Sequence, residues 1–397
     1  MGLKRLLLVF AVLSTVFFTG CWSSREVNTL GITVCIGIDK AENGYLVTKQ
    51  IINPRAIASD KATTESPIVI YKAKANSMAE VTSRFMTQSS RRIYDAHLRM
   101  VVFGEDVAKD GIQNILEYFA RNYEFRTDYY FAVARNTTAN EILSILTPIE
   151  TIPGIDMYNS LKMSDEGWAP VKSIRIIELV NSIIADGINP VLVGIEISQD
   201  RISPRSTDVL KQSGDYKWLK YTELCAFNKD KLVGWLGEDE SKGYNYITGN
   251  VKNTVEYAYI GQVKVTYRII NARAAAKVNL VDNKPAIEVE IKVRQNIGSV
   301  EGQFDVTSEE NKQVLNEILA SKIKLLCEKA LDKAQKTLKT DIFGFGEAIH
   351  RKYPKVWEKI KSDWNDKFLD LPVSITVEAE TIQLGEITKP LFLKEED

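Results

Sequence analysis

Histidine and cysteine are scarce in this chain, which has 2 His and 4 Cys among its 397 residues. The scarcity of His argues against zinc sites, Ser-His triads and histidine pH switches, and the few Cys exclude a disulfide-rich scaffold. Lys and Arg number 51 against 52 Asp and Glu, so the chain has no basic excess to neutralise phosphates. We therefore expect no nucleic acid among its partners.

The motifs that carry catalysis are also missing. The sequence contains no G-x-S-x-G elbow, no H-E-x-x-H, no P-loop and no C-x-x-C. His97 and His350 have no candidate nucleophile or metal ligand grouped with them, and the acidic run 238–240 lacks the alternating spacing of a calcium loop. The sequence therefore disfavours an enzyme and offers no candidate catalytic, metal or cofactor site.

The N-terminus carries an uncharged, mostly apolar run, Leu6–Phe18, directly after two basic residues. This run is shorter than the roughly 20 residues that a membrane-spanning helix needs, and its flank is typical of a signal peptide. Gly20 and Cys21 end it as in a lipobox, where the Cys thiol receives a diacylglycerol and becomes the new N-terminus. We predict a signal peptide over residues 1–20 and lipidation of Cys21. The alternative is an ordinary secretory signal with a coincidental Cys.

Residues 21–198 are expected to form an N-terminal α+β domain. Its first element is a β-hairpin of Gly31–Asp39 and Tyr45–Ile52, because both segments are rich in β-branched residues and flank an Asn-Gly turn. Further along, Asp110 is expected to cap a helix whose apolar face begins at Ile112.

A change in composition ends this domain. The segment 198–220 carries four Ser and few apolar side chains, which predicts a linker, with a long surface loop as the alternative. Residues 199–261 then form a middle small domain or a linker with a hairpin, whose strands are Tyr221–Phe227 and Lys231–Leu236.

Residues 262–397 are expected to form a C-terminal α+β domain. Three alternating segments predict half-buried antiparallel strands, namely Gln262–Ile270, Ala274–Val281 and Ala286–Gln295. The longest helix follows and ends near Leu338, and its broad apolar stripe predicts packing on the sheet. Strands followed by helices indicate an α+β fold with largely antiparallel sheets and not a doubly wound one.

The remaining cysteines and several aromatic residues are candidates either for the hydrophobic core or for other roles. Cys35, Cys225 and Cys327 lie in apolar segments, so burial in the core is their expected role, and it stays open whether two of them pair. The turn 341–346, with Phe343 and Phe345, and nearby Trp357 are candidates for a partner surface between two helices. Core packing is the alternative for these aromatic side chains.

Four groups of residues, in order over nearly the whole mature chain, carry a resemblance to a known family. They are Cys21-Trp22 with 25–28 and Ile36–Asp39; His97–Arg99 with Phe103–Glu105, Gly111 and 121–126; Leu232–Leu236 with Glu240, Ser241 and Gly243; and Asp341–Gly346 with Pro354 and Trp357. In these groups the chain resembles the Ger(x)C family, the C-subunit lipoproteins of spore germinant receptors. Ser23 departs from the pattern, since the family often has Asp after the Trp.

The resemblance implies a non-catalytic lipoprotein on the outer face of the spore inner membrane, held there by its lipid anchor. It implies two integral-membrane partners, the A and B subunits, with which such a protein senses nutrients and triggers germination. It also implies three mixed α/β domains, in agreement with the boundaries above. Only the acylated Cys21 is carried over as a site.

Two other classes compete with this interpretation. A solute-binding lipoprotein of an importer would need two α/β lobes in which strands and helices alternate, and the antiparallel segments 262–295 argue against it. An exported cell-wall enzyme would need a catalytic constellation, and the sequence offers none.

Overall fold

The computed structural model describes residue 2 and residues 29–57, 65–198 and 219–384 of the chain. These residues form a nine-stranded and a four-stranded β-sheet, both packed by helices. The architecture confirms the α+β class expected from the sequence.

The first sheet and its helices extend from residue 30 to residue 235. Its strands are β1 Leu30–Lys40, β2 Tyr45–Ile52, β3 Ile68–Ala75, β4 Arg92–Tyr94, β5 Met100–Phe103, β6 Tyr130–Ala134, β7 Val191–Ile197, β8 Leu219–Asn228 and β9 Lys231–Trp235. The helices are α1 Pro54–Ile57, α2 Met78–Phe85, α3 Glu105–Asp110, α4 Gln113–Arg121, α5 Ala139–Leu143, α6 Pro153–Gly167 and α7 Ile176–Ile184.

The first sheet has a parallel centre and antiparallel flanks. Its strand order is β3-β2-β1-β5-β6-β7-β8-β9, with β4 beside the start of β1. Strands β1, β5, β6 and β7 run parallel, so all four begin at the same edge of the sheet. The predicted first hairpin is confirmed as β1 and β2.

The second predicted hairpin belongs to this same sheet. It is formed by β8 and β9, and β8 pairs antiparallel with β7. Of the linker predicted before it over residues 198–220, residues 199–218 lie outside the described residues, and Leu219 and Lys220 belong to β8. The division of the chain at residues 198 and 261 stays a prediction, with the observation that the strands after the first boundary continue the N-terminal sheet.

The second sheet and its helices follow. They are α8 Glu238–Ile247, β10 Thr254–Ile260, β11 Val263–Val281, β12 Lys284–Glu301, α9 Glu309–Asp332 with a π-helical continuation Lys333–Leu338, α10 Phe345–Lys352, α11 Pro354–Ile360 with a 3₁₀ turn Lys361–Asp363, α12 Trp364–Leu369 and β13 Val373–Gln383. The order is β10-β11-β12-β13; β10 to β12 are antiparallel, and β13 is parallel to β12.

The prediction of three strands between residues 262 and 295 was wrong. The first two of them are one continuous strand of 19 residues, β11. Its pairing with β12 shifts register between Ile269 and Asn271, where the strand has a bulge. A bulge moves the inward and outward alternation by one residue, which resembles a strand end in the sequence pattern.

The prediction that Asp110 caps the next helix was also wrong. Asp110 is the last residue of α3, and α4 begins after Ile112, whose side chain makes no capping hydrogen bond. The cap comes from the turn between β8 and β9. There the Asp230 carboxylate accepts the Gln113 N–H at 3.3 Å, and the Asp230 carbonyl accepts the Ile112 N–H at 3.0 Å.

Hydrophobic cores cover both faces of the first sheet. On one face α2, α4 and α7 bury side chains such as Phe85, Phe119 and Leu179. On the other face α5 and α6 bury Leu143 and Met157, among others. This second core continues through α8 into the space between the second sheet and α9, so the two sheets share one core.

Helix α8 lies where the two halves meet. The Ser241 hydroxyl in α8 accepts the N–H of Leu224 in β8 at 3.0 Å. Gly243 faces the backbone carbonyl of Leu326 in α9 so closely that a Cβ would collide with it. The apolar stripe of α9 is buried in the shared core, as predicted, and the helical run ends at Leu338.

The three remaining cysteines are core residues. Cys35, Cys225 and Cys327 are buried, and each is a free thiol. Burial raises the pKa of each thiol above its ordinary value, so the thiols stay protonated and unreactive at neutral pH. Their predicted packing role is confirmed.

Candidate functional site

Cys21, the predicted lipidation residue, lies outside the described residues, as does the predicted signal peptide before it. It stands nine residues before Leu30, where β1 begins. Among the residues that the structure describes, no helix combines the length and the apolar character needed to cross a membrane.

The two histidines occupy exposed positions beside aromatic rings. His97 lies edge-on to Tyr94, with ring centres 5.9 Å apart, and His350 stacks on Trp357 at 5.8 Å. Nowhere in the described parts of the chain do three or more His, Cys, Asp or Glu residues gather in a way that could hold a metal ion.

The acidic run 238–240 opens helix α8. Glu238 pairs with Lys242 at 3.2 Å, and Asp239 pairs with Lys329 of α9 at 2.5 Å. The Glu240 carboxylate accepts the N–H of Gly237. These acids therefore cap α8 and tie it to α9.

The turn 341–346 is mostly buried, which corrects the expectation of exposed aromatic residues. Phe345 and Trp357 are each 1% exposed and belong to the shared core. Phe343 is half-buried; its ring stacks on that of Phe345 at 5.2 Å and lies 5.9 Å from Tyr244. Core packing, the alternative, is thus correct for Phe345 and Trp357.

Asp341 organises this turn with its buried carboxylate. Oδ1 accepts the N–H groups of Phe343 at 3.0 Å and Gly344 at 2.9 Å. Oδ2 accepts the N–H of Gly346 at 2.9 Å and the indole N–H of Trp364 at 3.2 Å. Burial raises the pKa of Asp341 to about 6, outweighing the backbone N–H bonds, which act to lower it.

The same turn joins the second half of the chain to the first. The Asn189 N–H donates to the Asp341 carbonyl at 2.7 Å, and the Glu347 N–H donates to the Gly187 carbonyl at 3.1 Å. A Cβ on Gly346 would lie 2.6 Å from the Gly187 Cα, so the two backbones cross in contact. The segment before β7 and the turn before α10 therefore require glycine where they meet.

A cleft of about 510 Å³ opens next to this junction, at the N-terminal ends of β6 and β7. On its walls Lys172 donates to the Tyr244 hydroxyl at 3.1 Å, and Arg175 donates to the Tyr130 hydroxyl at 3.4 Å. Its lining contains lysine, arginine, tyrosine and carboxylate side chains but neither Cys nor His. The cleft can hold a polar group by hydrogen bonds and charge, and its lining has no nucleophile paired with a base.

Two family models match the chain. The spore germination protein N-terminal domain matches residues 23–197, and the spore germination B3/GerAC like, C-terminal model matches residues 222–385. The class is therefore that of spore germination proteins. More particularly, the chain belongs to the Ger(x)C family, as its four residue groups predicted.

Individual relatives agree over nearly the full length. Spore germination protein KC of Bacillus subtilis (strain 168) is 29% identical over 98% of this chain and 98% of that protein. Spore germination protein B3 of the same organism is 21% identical over 93% of this chain and 95% of that protein. The crystal structure of the GerBC protein superposes with a TM-score of 0.57 at 18% identity, covering 87% of this chain and 96% of that chain, which shows a common fold.

The structural roles of Asp341 and Gly187 at the junction were not predicted from the sequence. An Asp followed by Gly three and five residues later is a signal for a side-chain-capped turn, and it is present at Asp341. The segment that contacts this turn, around Gly187 before β7, has no comparable local signal because it lies far away in the sequence. The importer alternative is not favoured by the family match.

Proposed function

We propose that this chain is the lipid-anchored, non-catalytic C subunit of a nutrient germinant receptor. Acylated Cys21 holds it on the outer face of the spore inner membrane, where it assembles with integral-membrane A and B subunits. The observation that carries the proposal is membership of the Ger(x)C family over nearly the whole chain, with a lipobox Cys directly before the matched region.

The structure supports a role in assembly more than one in chemistry. The two sheets share one core and are joined at the Asp341 turn, so the chain presents one connected surface to its partners. At this junction burial raises the pKa of Asp341, and its carboxylate accepts backbone N–H groups of the turn. The group thus organises the turn, which leaves recognition to the surface.

The lipid anchor is tested by metabolic labelling of sporulating cells with an alkyne-tagged palmitate. We expect the wild-type chain to incorporate the label and the Cys21→Ala variant to incorporate none, because the acyl chains attach through this residue. Cys35→Ala is the matched control, since that thiol is buried in β1 and should not affect labelling. A Cys21→Ala chain that still carries the label would overturn the lipobox assignment.

A further inference from the structure

The start of β1 is the part of the described chain nearest to the proposed anchor. Eight residues lie between Cys21 and Leu30, so this segment, which we call the tether, spans at most about 30 Å when fully extended. Strand β1 then leads away over 11 residues to Lys40, a further distance of about 35 Å. With Cys21 anchored, the edge of the first sheet at which β1 starts therefore lies within about 30 Å of the membrane.

Five arginines are gathered at this edge. At this edge Leu30 of β1 lies opposite Arg92 of β4. Strands β5 and β6 begin five residues further along β1, where Cys35 lies opposite Met100 and Met100 lies opposite Tyr130. We call the set the arginine row; its members are Arg91, Arg92, Arg99, Arg126 and Arg175.

The arginine row is only partly neutralised. Glu124 pairs with Arg92 at 2.6 Å, and Asp128 lies 3.0 Å from Arg99 and 3.7 Å from Arg126. Within the described residues, Arg91 and Arg175 form no ion pair, and Arg175 donates instead to the Tyr130 hydroxyl. Glu178 is a third acid near the row, and its charge acts on the Arg175 guanidinium. Five guanidinium groups against three carboxylates leave a positive strip, and guanidinium groups bind phosphate in a bidentate manner.

An exposed aromatic ring stands in the same strip. Tyr123 is 93% exposed and lies in the loop that leads from α4 to β6, directly before Glu124. Tyrosine is enriched where proteins meet the headgroup region of a bilayer, since its ring is apolar and its hydroxyl is polar.

The opposite ends of the same strands have a different charge. Four acids follow β1, β5 and β6 there, namely Glu42, Glu105, Asp106 and Glu141. Three cations at that edge are paired with acids: Lys40 with Asp110 at 2.5 Å, Lys109 with Glu105 at 2.8 Å, and Arg135 with Glu223. Lys74 of β3 also lies there, opposite Leu46, and forms no ion pair within the described residues. The sheet is thus basic at the end near the tether and acidic at the far end.

We propose that the arginine row and Tyr123 lie against the anionic lipid headgroups of the membrane that carries the anchor. This inference rests on the anchor at Cys21 and deepens the proposed function by fixing which side of the subunit faces the bilayer. Attraction between the row and lipid phosphates orients the first sheet with its acidic end outward. A second, electrostatic contact also strengthens attachment beyond that of the acyl chains.

The test uses the full acylated chain in vesicles of phosphatidylcholine with phosphatidylglycerol, and in vesicles of phosphatidylcholine alone. A fluorophore is attached at position 123 through Tyr123→Cys, or at position 43 through Asn43→Cys in the turn at the far end of β1. The native thiols are buried and do not compete for the label. Quenching by lipids with a spin-labelled headgroup measures which position touches the bilayer.

We expect a several-fold greater loss of fluorescence at position 123 than at position 43, and only in the anionic vesicles. Arg91→Glu with Arg126→Glu should remove most of this difference, whereas the charge-matched control Lys74→Glu with Lys284→Glu should keep it. Unchanged thermal unfolding midpoints establish that all four surface substitutions leave the fold intact.

The outcomes separate this inference from the proposed function. A chain that floats with the vesicles but shows equal quenching at both positions, or stronger quenching at position 43, overturns the orientation alone. If Arg91→Glu with Arg126→Glu leaves the quenching unchanged, the arginine row does not bind the lipid headgroups. A chain that does not float with the vesicles overturns the anchor and this inference together.

Discussion

At the scale of a single residue, Asp341 organises the junction through the hydrogen bonds of its side chain. Its carboxylate accepts four N–H groups from the turn and from Trp364, and it is fully buried. The burial of Cys35, Cys225 and Cys327 was predictable because their neighbours are apolar. The role of Asp341 was only half predictable, since a capped turn has a local signal and its contact with Gly187 has none.

The free energy of unfolding should depend on pH because of the Asp341 carboxylate. Burial raises the pKa of Asp341 from its ordinary value of 3.8 to about 6, so the folded chain binds the proton more tightly than the unfolded chain. Its contribution to the free energy of unfolding is then fully present below about pH 4 and is lost as the pH rises through about 6. The loss amounts to about 3 kcal/mol.

Urea unfolding of the wild type and of Asp341→Asn between pH 4 and pH 7 measures this effect. We expect the stability of the wild type relative to the variant to decrease as the pH rises through this range. Asp366→Asn, which removes an exposed carboxylate of α12, is the matched control. A constant difference between wild type and Asp341→Asn would show that the N–H donors, and not burial, set this pKa.

At the scale of elements, local signals located most helices and strands, and contacts between distant segments explain the exceptions. The hairpin of β1 and β2 was predicted because turn and strand residues adjoin in the sequence. Strand β11 was predicted as two strands because its bulge interrupts the alternation of apolar and polar residues. The cap of helix α4 was predicted wrongly because Asp230, its capping residue, is more than a hundred positions away in the chain.

Matched substitutions distinguish the two capping assignments for α4. Asp230→Ala should lower the free energy of unfolding by about 1 kcal/mol, because it removes the acceptor of the Gln113 N–H. Asp110→Ala should have a smaller effect, since that side chain ends α3 and pairs with Lys40 only at the surface. Thermal or urea unfolding of both variants provides the comparison. A larger loss for Asp110→Ala would restore the original assignment.

At the scale of the whole molecule, the sequence indicated the family and the class of fold but not the continuity of the first sheet. Strands β8 and β9 extend the N-terminal sheet, and α8 carries the core onward to the second sheet. Composition marks a boundary near residue 198, yet hydrogen bonds between β7 and β8 join the segments on its two sides. Pairing across a long connection has no signature in a local pattern.

We propose that this chain works as a subunit of a membrane-bound germinant receptor, and affinity purification from spore membranes in mild detergent, followed by mass spectrometry, tests this role. We expect recovery of two polytopic spore germination subunits, the A and B proteins, together with the acylated chain. Recovery of an importer permease and its ATPase in their place would contradict it.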